Sequence, residues 1–142
     1  MNLIARECIA VRVRSLDRAL TRIYDAAVRP HGLTATQLNL LAAIDSVQPV
    51  ASGRVAEGLS MEISTLSRNA RLMEREGWIK VSRAERGNGR ILALTSAGDR
   101  KLKEVLPAWR RAQRRARDLL GEEGADLIKH LADRVGEPGT AA

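Results

Sequence analysis

The sequence predicts a mainly α-helical protein with one small β-hairpin. Long segments near both ends carry apolar residues at helical spacing, whereas residues 78–95 form two short runs of branched aliphatic residues around a turn with glycine and arginine. The composition agrees, because 44% of the residues are hydrophobic but only two are Trp, one is Tyr and none is Phe, which leaves Leu, Ile, Val and Ala to build the core. A chain of 142 residues is expected to form a single domain over 1–142.

A long amphipathic helix is predicted over residues 2–29. The segment RPHG at 29–32 ends it, because proline disfavours helix in the residue before it and glycine accepts the left-handed conformation at a helix end. A continuous apolar stripe such as this one needs a partner to cover it. The stripe follows steps of four and three through Ile9, Val13, Leu16, Leu20, Ile23 and Ala27.

Residues 30–96 are predicted to hold three helices and the hairpin. Thr34 or Thr36 is expected to cap the first helix, which ends before Pro49, and Ser52 to cap a short second helix. The three residues SME separate that helix from the third, at 63–77. Two helices joined by a short turn and followed by a hairpin with a basic tip make a winged helix-turn-helix.

The third of these helices has two opposed faces. Helical spacing turns Leu66, Ala70 and Met73 inward. A polar and cationic outer face lies about half a turn away and consists of Ser64, Arg68, Arg71 and Arg75.

Residues 97–135 are predicted to form a second long helix and a last amphipathic helix. Thr95 or Ser96 is expected to cap the long helix, and Pro107 is a candidate for a bend. The tail at 136–142 is expected to be disordered. The spacing predicts an apolar stripe on the long helix at Leu102, Leu106, Trp109, Gln113, Ala116 and Leu120, and one on the last helix at Leu127, Ile128, Leu131 and Val135.

The charge of the chain favours a polyanionic partner. Twenty-four Lys and Arg against seventeen Asp and Glu give a formal charge of +7 and a pI near 10.7. Double-stranded DNA is the leading partner, and an anionic membrane surface is the alternative. The apolar run LLAAI at 40–44 is too short to span a bilayer and the N-terminus lacks the apolar centre of a secretory signal, so we expect a cytoplasmic protein without membrane association.

The order of several segments resembles the MarR family of winged helix-turn-helix transcriptional regulators. These segments are RPHGLTATQLNLLAAI, RVAEGLSMEISTLSRNARLMEREGWI and LALTSAG, and the resemblance covers residues 3 to 135. It implies a homodimer in which the helices at 2–29 and 97–135 form the dimer base, with a winged helix on each side. It also implies a regulator, most often a repressor, that responds to a small molecule or an oxidant.

The resemblance also assigns candidate DNA-binding residues. The recognition helix is expected to use Ser64, Thr65, Ser67, Arg68 and Asn69, with Arg71 on the same outer face. The wing at 84–90 departs from the family because its acidic-x-Arg motif is not intact, which leaves Arg86 and Arg90 as its candidates, and Ser60 stands where the family often has glycine. In the alternative interpretation, Arg68 and Arg75 are surface residues paired with Glu62, Glu74 or Glu76, and Thr65 bonds only its own helix.

Two sensing schemes remain open from the sequence. Tyr24 and Trp109 are candidates to line an effector pocket between the dimer base and the winged helix, although either residue is as compatible with a simple core position. Cys8 is a candidate redox sensor or a small buried residue. As the only cysteine, Cys8 forms no intramolecular disulfide, and neither His31 nor His130 lies in a catalytic or metal-ligand motif. We therefore expect no enzyme activity, no metal and no cofactor.

The most basic stretch is WRRAQRRAR at 109–117. If it belongs to the dimer base, its arginines lie on the flanks and solvent side of a helix and raise the overall potential without contacting bases. In a second functional hypothesis, the protein is an architectural one whose basic surface alone binds nucleic acid, without regard to sequence.

Overall fold

The structure is a computed structural model that describes residues 2–136. Most of the tail predicted to be disordered lies outside that range, but Gly136 is the last residue of the final helix and not part of a tail. Along the chain the elements are α1 (Leu3–Glu7), α2 (Ile9–Val28), a 3-10 turn (Arg29–His31), α3 (Ala35–Val47), β1 (Val50–Ala51), α4 (Ser52–Gly58), α5 (Ile63–Arg75), β2 (Ile79–Arg83), β3 (Arg90–Leu94) and α6 (Ser96–Gly136).

The helix predicted over 2–29 is interrupted at Cys8, so the prediction of one continuous helix was wrong. Cys8 has an extended backbone, with φ −67° and ψ 115°, and ends α1 before α2 begins. The Arg6 carbonyl, which a continuous helix would satisfy with a backbone N–H, instead accepts a 2.6 Å hydrogen bond from the Arg12 guanidinium. Asn2 caps α1 by accepting from the Ile4 N–H at 2.9 Å.

Local side-chain hydrogen bonds determine the cap of α3, and strand pairing determines the cap of α4. Thr34 caps α3 in a reciprocal capping box with Gln37, which confirms one of the two predicted caps. The cap predicted at Ser52 was wrong, because β1 pairs with β3 and holds Ala51 extended, so Ala51 is the cap and Ser52 the first helical residue. Ser60, in the turn before α5, has a left-handed backbone with φ 51°.

The hairpin is part of a three-stranded antiparallel sheet in the order β1-β3-β2. β2 pairs with β3 from Ile79 opposite Leu94 to Arg83 opposite Arg90. The edge strand β1 was not predicted, because two residues are too short to show an alternating pattern. It ties the start of α4 to the base of the wing.

The hydrophobic core is centred in the winged helix-turn-helix, which we call the DNA lobe (residues 33–95), and extends to Val28 of α2 and Val105 of α6. The inward positions predicted for α5 are confirmed, since Leu66, Ala70 and Met73 are buried. The core is closed by α3, the sheet and the first part of α6 and contains Val28, Leu33, Leu38, Leu40, Leu41, Ile44, Val50, Val55, Ala56, Trp78, Ile79, Leu92 and Val105. It fixes the orientation of α5 relative to the wing.

Helix α6 packs along α2, but its buried face only partly coincides with the predicted stripe. Ala116 of that stripe is buried, and Leu102, Trp109, Gln113 and Leu120 are half-buried. The buried residues of α6 are Val105, Ala108, Ala112, Ala116 and Ala125, together with Gly98 at its start, whereas the larger Leu106 is 40% exposed. Small residues form the contact because they let two helices approach closely, and the larger apolar residues remain on the flanks.

Local features explain where the first part of α6 begins and ends. Thr95 precedes the helix, and its hydroxyl oxygen accepts from the Gly98 N–H at 3.1 Å. Gly121 is non-helical, with φ 74°, and separates the long helix from a last one, as the sequence predicted. The break therefore lies at Gly121, while Pro107 lies inside the helix.

Candidate nucleic-acid interface

The outer face of α5 is polar, cationic and open to solvent. Ser64, Ser67, Arg68 and Arg71 are exposed, and Thr65 and Asn69 are half-buried beside them. The burial of Leu66, Ala70 and Met73 on the opposite side fixes this orientation, because side chains on one helix share a face at spacings of three and four. All six predicted residues of the helix thus lie on or beside one accessible face.

Three of these residues are joined by hydrogen bonds. The Arg68 guanidinium donates to the Thr65 hydroxyl at 3.4 Å, and the Asn69 amide donates to the Thr65 carbonyl at 2.9 Å. Arg68 has no carboxylate partner among residues 2–136, and neither has Arg75, so the interpretation of both as ion-paired surface residues was wrong. Most of the donor capacity of the Arg68 guanidinium remains free for a ligand.

The wing carries a pair of arginines that sequence analysis only half identified. Arg90 faces Arg83 directly across the hairpin, where two like charges are unfavourable without an anion nearby. Arg83 was overlooked because the resemblance limited the wing to 84–90, although its position at the end of a strand was a usable signal. Arg86 is exposed in the turn, which is closed by a 2.9 Å hydrogen bond from the Ala84 N–H to the Gly89 carbonyl.

A groove of about 240 Å³ separates α5 from the wing. Ser67 and Arg71 line it from α5, Arg90 from β3 and Ser52 from the start of α4, with Glu74 as its acidic residue. The structure therefore brings Ser67, Arg71 and Arg90 together, while Arg86 does not line this groove. Hydroxyl and guanidinium donors around one groove suit an anionic oxygen ligand.

The arginine-rich stretch of α6 has different surroundings. Arg110, Arg111, Arg114 and Arg115 are exposed, and Arg117 is half-buried and pairs with Glu122 at 2.6 Å and with Asp126 at 3.8 Å. An open groove of about 400 Å³ here is lined by Arg111, Arg114, Arg115, Arg117, Asp118 and Glu122. Carboxylates thus lie within the arginine cluster itself.

Tyr24 and Trp109 do line a common cavity. It has a volume of about 280 Å³ and lies between α2, α3 and α6, with Asp17, Leu20, Thr21, Ala35 and Asn39 as its other lining residues. The Tyr24 hydroxyl donates to the Gln113 side-chain oxygen. Burial raises the pKa of Tyr24, and the positive charge of Arg117 acts in the opposite direction.

A second, more apolar cavity of about 490 Å³ adjoins the first at Asn39 and Trp109. Leu38, Ala42, Leu102 and Leu106 supply its apolar lining, and Asp45, Asp99 and Lys103 its charged groups. Trp109 therefore separates two cavities at the boundary between the long helices and the DNA lobe.

Cys8 lies at the break between α1 and α2, free and half-buried. Its thiol has no hydrogen bond or ion pair within residues 2–136. No group of three or more His, Cys, Asp or Glu side chains in that range is arranged to hold a metal ion. No helix in the same range is long and apolar enough to cross a membrane.

Comparison with solved structures places this geometry in a known family. The chain is 30% identical to the Mycobacterium tuberculosis transcriptional regulator MosR in its complex with DNA, with 92% of this chain and 94% of MosR covered and a TM-score of 0.77. The chain belongs to the MarR family of transcriptional regulators. A mutant of Escherichia coli MarR in complex with operator DNA has the same fold, with 15% identity, 95% and 99% coverage of the two chains and a TM-score of 0.81.

A curated helix-turn-helix relative is more distant. The chain is 22% identical over 88 residues to YwoH of Bacillus subtilis, an uncharacterised helix-turn-helix transcriptional regulator, and the match spans 62% of this chain and 64% of YwoH. No family model matches the chain.

Proposed function

We propose that this protein is a sequence-specific DNA-binding repressor that acts as a homodimer on a pseudo-palindromic operator. The observation that carries the proposal is the outer face of α5, where Arg68 is exposed and free of any carboxylate among residues 2–136. A guanidinium in this position can donate two hydrogen bonds to one guanine in the major groove. Ser64 and Ser67 flank it with short hydroxyl groups that can bond base edges or phosphates.

The wing supports the same orientation on DNA. Arg83 and Arg90 lie opposite each other at the end of the hairpin, and Arg86 lies in its turn. With α5 in the major groove, these arginines reach phosphates or the neighbouring minor groove, as wings do in other DNA-binding proteins. An anion between Arg83 and Arg90 would relieve their mutual repulsion.

Exposed apolar side chains support the homodimer. They belong to α1, α2 and the end of α6, and a second copy of the chain would cover them. Ile9 is 78% exposed, although it begins the amphipathic stripe of α2. The others are Leu3, Ile4, Val11, Val13, Leu16, Leu119, Leu127, Leu131 and Val135.

The proposed dimer makes a geometric prediction about its operator. Two copies related by a two-fold axis place their recognition helices on half-sites that are separated by one helical turn, about 10 bp, or a multiple of it. Sedimentation at micromolar concentration should give a dimer. A monomer at that concentration would contradict the symmetric operator together with the dimer.

Selection of bound duplexes from a random pool tests sequence specificity directly. We expect an enriched inverted repeat that binds at least about a thousandfold more tightly than random DNA at physiological salt. Equal affinity for all duplexes would instead favour an architectural protein held by phosphate contacts alone.

The two adjoining cavities at Trp109 are the proposed effector site. They lie where α2 and α6 meet the DNA lobe, so a small molecule with an apolar body and a polar group could change how the lobe sits on these helices. Compounds that release DNA from the wild type should do so poorly from Trp109→Leu, with unchanged DNA affinity in their absence. Equal release from both proteins would place the effector elsewhere.

A further inference from the structure

The Lys101 side chain lies at the meeting point of the long helices and the DNA lobe. Its Nζ atom is 2.9 Å from Oε2 of Glu104, 3.2 Å from the His31 carbonyl oxygen and 5.5 Å from the centre of the Trp78 ring. Only 19% of the side chain is exposed. One ammonium group therefore contacts a carboxylate, a backbone carbonyl and an aromatic face in three parts of the chain.

Glu104, the carboxylate partner of Lys101, also contacts the joint between α2 and the DNA lobe. His31 ends the 3-10 turn after α2, and its Nδ1 lies 3.0 Å from Oε1 of Glu104 on α6. Because a carboxylate only accepts hydrogen bonds, Nδ1 must carry the hydrogen. On the other side of the joint, Asp25 accepts from the Ala35 N–H at 2.6 Å.

The aromatic contact reaches the junction between α5 and the wing. Trp78 lies three residues after the end of α5. Its backbone N–H donates to the Met73 carbonyl at 2.9 Å, and its carbonyl accepts from the Thr95 N–H at 3.0 Å. The backbone of Gly98 passes so close that a Cβ there would lie 2.1 Å from the Trp78 carbonyl oxygen. Trp78 therefore cannot shift without moving the end of α5 or the start of α6.

We propose that Lys101 is a positioning residue that sets the orientation of the recognition helix α5 relative to α2 and α6. Through α2 and α6, which form the proposed dimer base, it thereby sets the separation of half-sites that the dimer accepts. This consequence for DNA rests on the proposed function, whereas the orientation of the lobe does not.

The first test measures that orientation without DNA. Spin labels are placed at Glu57→Cys in α4 and Asp118→Cys in α6, both exposed, in a Cys8→Ser background with excess unlabelled protein so that only distances within one chain are recorded. We expect a narrow distance distribution in the otherwise unchanged protein and a broader or shifted one in Lys101→Met. Lys101→Arg should restore the narrow distribution because it keeps the cation.

Arg100→Met is the matched control. Arg100 is the neighbouring cation on the same helix, but it is exposed and has no hydrogen bond or ion pair within residues 2–136. Its distance distribution should stay narrow. If the distance distribution of Lys101→Met has the same width and the same mean distance as that of the control, the proposal is overturned. If Lys101→Met unfolds, Glu104→Gln should broaden the distribution, because it removes the carboxylate that contacts both Lys101 and His31 at a side chain that is 49% exposed.

The second test uses operators with half-sites moved apart or together by single base pairs. Lys101→Met should lose roughly two- to fivefold affinity at the preferred spacing, which corresponds to the lower part of the range for one cation–π contact, and lose less at other spacings. An equal loss at every spacing and on random DNA would mean that Lys101 acts only through its charge. Absence of any preferred sequence in the wild type would instead refute the proposed function and leave the spin-label result standing.

Discussion

The two arginine-rich regions of this molecule differ in what surrounds them. In α5 and the wing, Arg68 has no acidic partner among residues 2–136 and Arg83 faces Arg90 across a hairpin. The α6 stretch at 109–117 contains more arginines, but Arg117 is paired with Glu122 and Asp126. The number of arginines therefore does not by itself locate the proposed DNA-contacting surface, and the proposal depends instead on the exposed outer face of α5 and the groove that α5 shares with the wing.

The two regions also differ in the contacts around their side chains. The polar side chains of α5 lie on the face opposite the core of the DNA lobe, and hydrogen bonds join Thr65, Arg68 and Asn69. The exposed arginines of α6 flank a buried row of alanines that contacts α2. Base readout needs donors at defined positions in the major groove, whereas charge outside the groove adds mainly to the electrostatic field.

The largest effect is expected from Arg68→Ala. Operator affinity should fall by about 1–3 kcal/mol, with the loss confined to operators that keep the guanine contacted by Arg68. Titration of operators substituted at one position at a time measures this. Arg75→Ala, at an exposed residue at the end of the same helix, is the control and should keep the same ranking of bases.

Arg83→Ala and Arg90→Ala should act on phosphates. Each should weaken binding to operator and random DNA alike and reduce the slope of log affinity against log salt by about 1. Thermal unfolding provides a second measurement, since removing one of two opposed like charges should stabilise the hairpin by roughly 0.2–1 kcal/mol. A base-dependent loss would instead assign the wing to sequence readout.

The double substitution Arg110→Ala with Arg114→Ala should have a smaller effect. Both residues are exposed and lack carboxylate partners in residues 2–136, so they contribute through the long-range field. Affinity for both DNAs should fall by a similar factor, and the difference from the wild type should shrink as salt rises. A change in the preferred sequence would contradict this role.

The smallest effect concerns how α6 holds the DNA lobe. The hydrogen bonds from His31 and Lys101 lower the pKa of Glu104 from its ordinary value of 4.5. A lowered folded-state pKa stabilises the fold above 4.5, and this contribution is lost as pH falls through the lowered value. Glu104→Gln should therefore be slightly less stable than the wild type at neutral pH in urea unfolding, with the difference disappearing in acid.

Much of the fold followed from periodic patterns. Spacing in α5 predicted the buried positions of Leu66, Ala70 and Met73, and the capping box at Thr34 is a local signal that sequence carries. The buried face of α6 was only partly predicted, because alanine is weakly hydrophobic and the burial of Ala108 and Ala112 depends on how closely α2 approaches. β1 and the cap at Ala51 arise from pairing with β3, which is distant in sequence.

Some residues of the candidate site could likewise be predicted from the sequence, and others could not. Helical spacing and the family resemblance together identified the exposed face of α5, and the resemblance led to the cavity that Tyr24 and Trp109 share. The position of Arg83 at the end of a strand was a local signal, but its pairing with Arg90 depends on strand register. Lys101 and His31 are 70 positions apart in sequence, and no local pattern predicts their contact.

The central claim is that α5, and not the arginine stretch of α6, determines sequence preference. The most direct test is the ratio of affinities for operator and random DNA in the wild type, in Arg68→Ala and in the Arg110→Ala, Arg114→Ala double variant, at two salt concentrations. The ratio should fall in Arg68→Ala and stay at the wild-type value in the double variant. A double variant that loses the ratio while Arg68→Ala keeps it would contradict the account and assign base readout to α6.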